Sequence, residues 1–206
     1  MISALFISFF ALADFSSFIY CHDNTRGPFE TQCVQLDSTA KGETTFKRRQ
    51  ADTVKLPVQL SDAARDKFFA LLMATNYLDN PETFESGRKI ADLGLKRLTI
   101  ELPSGKREGT FNFSLRKDIT ELSTFFEALL NQQTMGFDIT NAIQFERLSV
   151  PRRLDQMENE LRSNRIADPE GLIPLLERIE KDQQIMNYAR TQAGKIKKQI
   201  QTGKKQ

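Results

Sequence analysis

"TVKLPVQLSDAARDKFFALL", residues 53 to 72, changes its hydrophobic period halfway along. Val54, Leu56, Val58 and Leu60 alternate with Thr53, Lys55, Pro57 and Gln59, the two-residue period of a strand that buries one face. From Ser61 the apolar positions become Ala64, Phe68, Leu71 and Leu72, which is helical spacing, and Ser61 is a suitable N-cap for that helix. Pro57 falls on the outward side and cannot donate to a ladder, so the strand belongs at a sheet edge or a bulge.

Working back towards the N-terminus, "FSSFIYCH", "FETQCVQL" and "ETTFKRR" read as three more strands, joined by turns at "NTRGP" and at "TAKGE" around Gly42. Working forward, a loop leads to "KRLTIELPSGKREGTFNF", a hairpin. Leu98, Ile100 and Leu102 share one of its faces, Pro103 to Gly105 make the turn, and Phe111 and Phe113 return. Asp118 and Glu121 then make a capping-box-like start to a helix carrying Ile119, Leu122, Phe126 and Leu129. Strands, helix, hairpin and helix in that order predict an α+β fold, a mostly antiparallel sheet with helices on one face.

From Asp138 the strand signals stop. "DITNAIQFERLS" reads as a short helix ending near Pro151, and "PRRLDQMENELRSN" as another with Leu154, Met157 and Leu161 on one side. Asp168 and Pro169 are an N-cap and first-turn pair for a third. The fourth carries Met186, Ala189, Ala193, Ile196 and Ile200 as one narrow seam. The expected organisation is a signal peptide at 1–13, an α+β domain at 14–137 and a small antiparallel helical bundle with a basic tail at 138–206.

The run from Leu172 through Pro174, Leu175, Leu176, Ile179 and Asp182 to Ala189, Arg190, Ala193, Ile196 and Ile200 resembles one HEAT-type repeat helix pair. The resemblance implies a bend at Pro174, a turn role for Asp182 and a second-helix role for Arg190; Ala189 stands where that family has Val. Repeat proteins stack about three units or more, and only one is present here. The pair is therefore read as the helical end of the fold, with Asp182 capping the last helix and Arg190 held by a nearby acid. The segments "HDNTRGPFE", "ESGRKIADLGLKRLTIE" and "LSVPRRLDQMENELRSNRIADP" also loosely resemble a group of uncharacterised exported bacterial proteins, which implies no known activity.

Charge and composition narrow the function classes. With 29 basic against 27 acidic residues the net charge of +2 draws in no polyanion, so nucleic acid is not an expected partner. Residues 2–13 carry no charged side chain but are too few to span a bilayer. They fit a signal-peptide core, and Ala11 to Ala13 fit its cleavage pattern. A periplasmic or secreted protein is the expectation, or a cytoplasmic one if Met1 is retained. With a tight turn at "NTRGP", Cys21 falls opposite Phe29 or Glu30, which leaves Cys33 out of reach and both cysteines as semi-buried thiols.

One histidine, His22, rules out a multi-histidine metal site, and it reads as an edge-strand residue beside a turn. No G-x-S-x-G, Walker A or C-x-x-C motif occurs, and no cofactor or metal is expected from the pattern. The acidic loop "LDNPETFESGRKIAD" is the candidate ligand-binding segment, with Asp79, Glu82, Glu85 and Asp92 beside Arg88 and Lys89. Such carboxylates could hold a cation or act as an acid/base pair, and the plain alternative is a solvated connector. The functional expectation is a non-catalytic exported protein that binds a protein partner. The alternative is a carboxylate-dependent hydrolase using the Asp79 to Asp92 loop.

Overall fold

The computed structural model describes residues 15–24, 26–88 and 91–203; the expected signal peptide at 1–13 lies outside them. Four strands run as a meander, β1 (Ser17–Asp23), β2 (Phe29–Leu36), β3 (Lys41–Arg48) and β4 (Thr53–Gln59). Helix α1 (Asp62–Ala74) follows, and then the hairpin β5 (Leu95–Leu102) and β6 (Gly105–Phe111). The hairpin joins the other side of β1, giving one antiparallel sheet in the order β4-β3-β2-β1-β5-β6. This is the expected α+β fold, and β4 lies at the edge, as Pro57 requires.

The inner sheet face carries Phe18, Tyr20, Val34, Leu36, Leu98 and Ile100, all buried. It is covered by Ala64, Phe68 and Leu72 of α1 and by Ile119, Leu122, Phe126 and Leu129 of helix α2 (Lys117–Phe145). The Phe126 ring lies 5.0 Å from Phe18, 5.6 Å from Tyr20 and 5.4 Å from Phe68. Removing such a ring costs about 3–5 kcal/mol. Gly109 of β6 leaves room for Phe84, because a Cβ there would collide with that ring. Leu102 pairs with Gly105, so Pro103 and Ser104 make the turn; Phe113 lies past the end of β6 and is only half-buried.

The cysteine expectation is overturned. Cys21 pairs directly with Cys33, their Cα atoms are 4.1 Å apart, and the two form a disulfide. The connection between β1 and β2 is longer than a tight turn at "NTRGP". Asp23 is the last β1 residue paired, opposite Thr31, and the Asn24 side chain accepts from the N–H groups of Arg26 and Gly27 to fold the loop between them. His22 is correspondingly on a central strand, flanked by β2 and β5. The next turn is also displaced. It spans Asp37 to Ala40, with Ala40 at a φ of 58°, and Gly42 is already inside β3 opposite Leu36.

No helix break occurs at Asp138. α2 continues to Phe145 because Ile139, Ala142 and Ile143 extend its buried stripe without a proline or a C-cap between them. The expected division at 137/138 thus falls inside a helix. Its first part, to Leu130, belongs to the sheet's apolar cluster; from Met135 it belongs to a second cluster with α3 (Val150–Arg162), α4 (Ile173–Lys181) and α5 (Asn187–Thr202). Leu154, Met157, Leu176, Ile179, Ala189, Ala193 and Ile196 are fully buried there, so the bundle consumes its own apolar strip, with Leu161, Leu175 and Ile200 packed at its margin.

The caps divide. Ser61 caps α1 by accepting from Ala64 N–H at 3.3 Å. Asp168 accepts from Gly171 N–H at 3.1 Å and opens the 3-10 turn Glu170–Leu172 that leads into α4. Asp118 is not an N-cap: Arg116 holds that position, and Asp118 lies inside the first turn and pairs with it. Asp182 ends α4 and accepts from Gln184 N–H, so it does not cap α5, whose N-cap is Met186. Met186 is exposed and Ile185 takes the buried place expected for it. Arg190 is held by the amides of Gln183 and Asn187 and not by an acid. Among the described residues no helix is long and apolar enough to cross a membrane.

Candidate functional site

Register places one polar row at the end of the inner sheet face. Along β1 the buried sequence Phe18, Tyr20 ends in His22. His22 pairs with Gln32 of β2, beyond Val34, and with Lys96 of β5, before Leu98. Above this row α2 presents Glu127, Asn131, Thr134 and Asp138, spaced four, three and four residues apart and therefore on one helical face. Between sheet end and helix lie two adjoining cavities of about 410 and 420 Å³ that share Phe29, Asn131 and Thr134 in their walls.

The charges in this cleft are unequal. Lys96 Nζ lies 2.9 Å from Glu127 Oε1, which also accepts from the Tyr20 hydroxyl at 3.3 Å. Burial, followed by the charge of Glu127 and its hydrogen bond, pushes the Tyr20 phenol well above its ordinary range. At the other end Arg48 places one terminal nitrogen 2.7 Å from both oxygens of Asp138 and stacks at 5.2 Å on the Phe29 ring. Arg153 of α3 reaches the same carboxylate at 3.9 Å and Glu146 at 3.7 Å, both beyond hydrogen-bonding distance. Two guanidinium groups therefore meet on one carboxylate beside an open cavity. Among the described residues the remaining terminal nitrogen of Arg48 and both terminal nitrogens of Arg153 make no hydrogen bond.

Chemically this suits holding a ligand. His22 Nε2 is 3.0 Å from the Leu93 carbonyl, the Thr134 hydroxyl donates to backbone carbonyls of its own helix, and both cysteines are in the disulfide. A guanidinium pair is suited to a carboxylate or phosphate because its N–H groups match the planar spacing of two oxygens.

Among the described residues the acids of the loop are held separately. Asp79 faces Arg116 at 3.3 Å and accepts from Asn76, while Glu85 accepts from Asn112 N–H at 2.6 Å. Asp92 accepts from Gly94 N–H and lies 4.0 Å from Arg26. Glu82 and Arg88 point to solvent, and Lys89 lies outside the described residues. Three of the four acids thus face separate partners: Asp79 fastens the loop to the start of α2, Glu85 to the residue after β6, and Asp92 to the loop's own end. Among the described residues no group of three or more His, Cys, Asp or Glu side chains is placed to hold a metal ion.

The cleft was missed because its sheet half exists only once strands are paired: His22, Gln32 and Lys96 are far apart in the chain. Its helix half did leave a trace, the polar stripe at 127, 131, 134 and 138 on one face of the helix. Compared with known proteins, the sequence matches no protein-family model and no curated protein.

Proposed function

We propose that this is a non-catalytic exported binding protein that takes an anionic group of its ligand, a carboxylate or a phosphate, into the cleft between the sheet end and α2. The observation that carries the reading is the convergence of Arg48 and Arg153 on Asp138 at the mouth of a cavity of about 420 Å³. Such an arrangement can exchange part of an internal ion pair for a ligand oxyanion at modest cost, since Arg153 is held only loosely. Phe29 supplies an apolar wall, and Asn131 and Gln156 supply polar groups that orient. Export is supported by the Cys21–Cys33 disulfide, since such bonds persist in oxidising compartments. The HEAT-like Leu172 to Ile200 pair braces the bundle, because its apolar side chains are spent on α2 and α3.

The shared chemistry fits both a small acid and an acidic side chain of a protein partner. The test compares wild type with Arg48→Gln/Arg153→Gln, each purified natively from the envelope fraction and analysed by mass spectrometry before and after denaturation. Wild type should retain an intact anionic component, small molecule or acidic protein, that the double variant loses while keeping its circular dichroism. Equal retention by both, or release of a chemically altered product, would overturn the proposal.

A further inference from the structure

The outer face of the sheet, opposite α1 and α2, carries a feature the cleft does not use. By register one row of side chains crosses it from β3 to β6: Thr45, Cys33, Cys21, Arg97 and Thr110. The apolar stripes of the helices are spent on the inner face and on one another, and in this row the first four residues are partly buried and Thr110 is exposed. The Cys21–Cys33 disulfide thus lies on the uncovered side of the sheet, and its two ends have unlike neighbours. Beyond Cys33 stands the short side chain of Thr45, and beyond Cys21 stands Arg97. One terminal nitrogen of Arg97 lies 3.3 Å from Asp23, two residues along β1 from Cys21 and so on the same face. Among the described residues the Arg97 Nε is buried and has no hydrogen-bond partner. The charges on the neighbouring rows are paired: Glu43 with Lys55 at 2.9 Å, Lys47 with Glu30 at 2.7 Å and Glu108 with Lys106 at 2.7 Å.

We infer that this disulfide is a thiol–disulfide exchange site for a dithiol reductant, with Cys33 as the sulfur attacked and Cys21 as the sulfur released. A thiolate attacks one sulfur from the side opposite the sulfur it displaces, and both access and the stability of the leaving thiolate set the rate. Approach to Cys33 passes over Thr45, which is small; approach to Cys21 meets the Arg97 side chain. The leaving electron pair then falls on the Cys21 Sγ, opposite a guanidinium whose Nε–H is without a partner, and a cation beside a thiolate stabilises it. The reductant's first sulfur becomes bonded to Cys33 as the Cys21–Cys33 bond breaks. Its second thiol gives up its proton and attacks that mixed disulfide, releasing Cys33, and the two protons of the dithiol pass to the two cysteines. The reductant leaves as a disulfide, two electrons having moved to the protein. The inference uses none of the cleft residues and stands or falls apart from them.

A monothiol stops the exchange halfway and so reveals its direction. Oxidised protein is incubated with glutathione, the reaction is stopped with excess N-ethylmaleimide, and peptides are mapped by mass spectrometry while circular dichroism follows the fold. The glutathione adduct should lie on Cys33 and the maleimide on Cys21. Arg97→Gln should slow formation of the adduct about threefold to tenfold, because the leaving thiolate loses its cation. Arg97→Lys, which keeps a cation, should be slowed less, and Asp23→Asn, which removes only the partner of Arg97, should react at least as fast as wild type. An adduct on Cys21, or shared equally between the two cysteines, would overturn the inference. So would a wild-type rate in Arg97→Gln, equal slowing in Arg97→Gln and Asp23→Asn, or a wild-type disulfide that reacts only once the chain is unfolded.

Discussion

Asp168 joins the two halves of the molecule, and Asp168→Ala measures that joint. The residue is 2% exposed. One carboxylate oxygen accepts from Ser61 N–H at the start of α1 (3.0 Å), the other from Gly171 N–H at the entry to α4 (3.1 Å). Its own peptide groups are bonded to the buried Gln132 side chain of α2 at 2.8 and 2.9 Å. Hydrogen bonds to a charged acceptor contribute about 1.5–3 kcal/mol each. Gly171 is exposed, so its freed N–H regains water and counts for little; the Ser61 N–H is half-buried and does so incompletely. The expected loss is about 3 kcal/mol for Asp168→Ala and about half of that for Asp168→Asn, which keeps one acceptor oxygen. Urea unfolding followed by circular dichroism reads both. An unchanged midpoint for Asp168→Ala, or equal loss in the two variants, would refute the reasoning.

Other outcomes follow from the same geometry. Native protein should show no thiol reactive to a disulfide reagent, and Cys21→Ala/Cys33→Ala should destabilise by about 3 kcal/mol for a ring of this length; two reactive thiols in the native state would contradict the disulfide. The Asp118 carboxyl is raised by burial, but the hydrogen bond and charge of Arg116 and the backbone N–H groups of Ile119 and Asp118 hold it below its usual range. A depressed carboxyl contributes stability that is present above the unfolded value, near pH 4, and is lost as pH falls through the folded one. Asp118→Asn should therefore lower stability by about 1–2 kcal/mol at neutral pH and by progressively less in acid, as denaturant titrations across pH would read. Ile100→Ala, at a fully buried β5 position, should cost about 2–5 kcal/mol in the same unfolding assay.

Local pattern carried much of this fold. Val54 to Leu60 and Ala64 to Leu72 report their own burial by period, and Pro57 marks its strand as an edge without reference to any other residue. What failed depended on longer range. The disulfide turns on how many residues the β1–β2 loop absorbs, and the Asn24 turn that lengthens the loop has the same composition as a tight one. The new helix expected from Asp138 failed because one helix can serve two cores in succession, which no window along the chain separates from two short helices. The acids from Asp79 to Asp92 look like a site in sequence because they are close together. In the fold Arg116, Asn112 and Gly94 hold Asp79, Glu85 and Asp92 apart, while the cleft is built from residues between 22 and 156 that share no motif.

The most direct test of the central claim is a titration of isotopically labelled protein with inorganic phosphate and with glutarate, read by backbone and arginine side-chain ¹H–¹⁵N correlation. The account predicts saturable shifts at Phe29, Asn131, Thr134 and the Arg48 and Arg153 side chains, with a dissociation constant on the order of millimolar for so small a probe. These shifts should be absent in Arg48→Gln/Arg153→Gln. Shifts centred on Asp79 to Asp92, or none that saturate at the cleft, would contradict it.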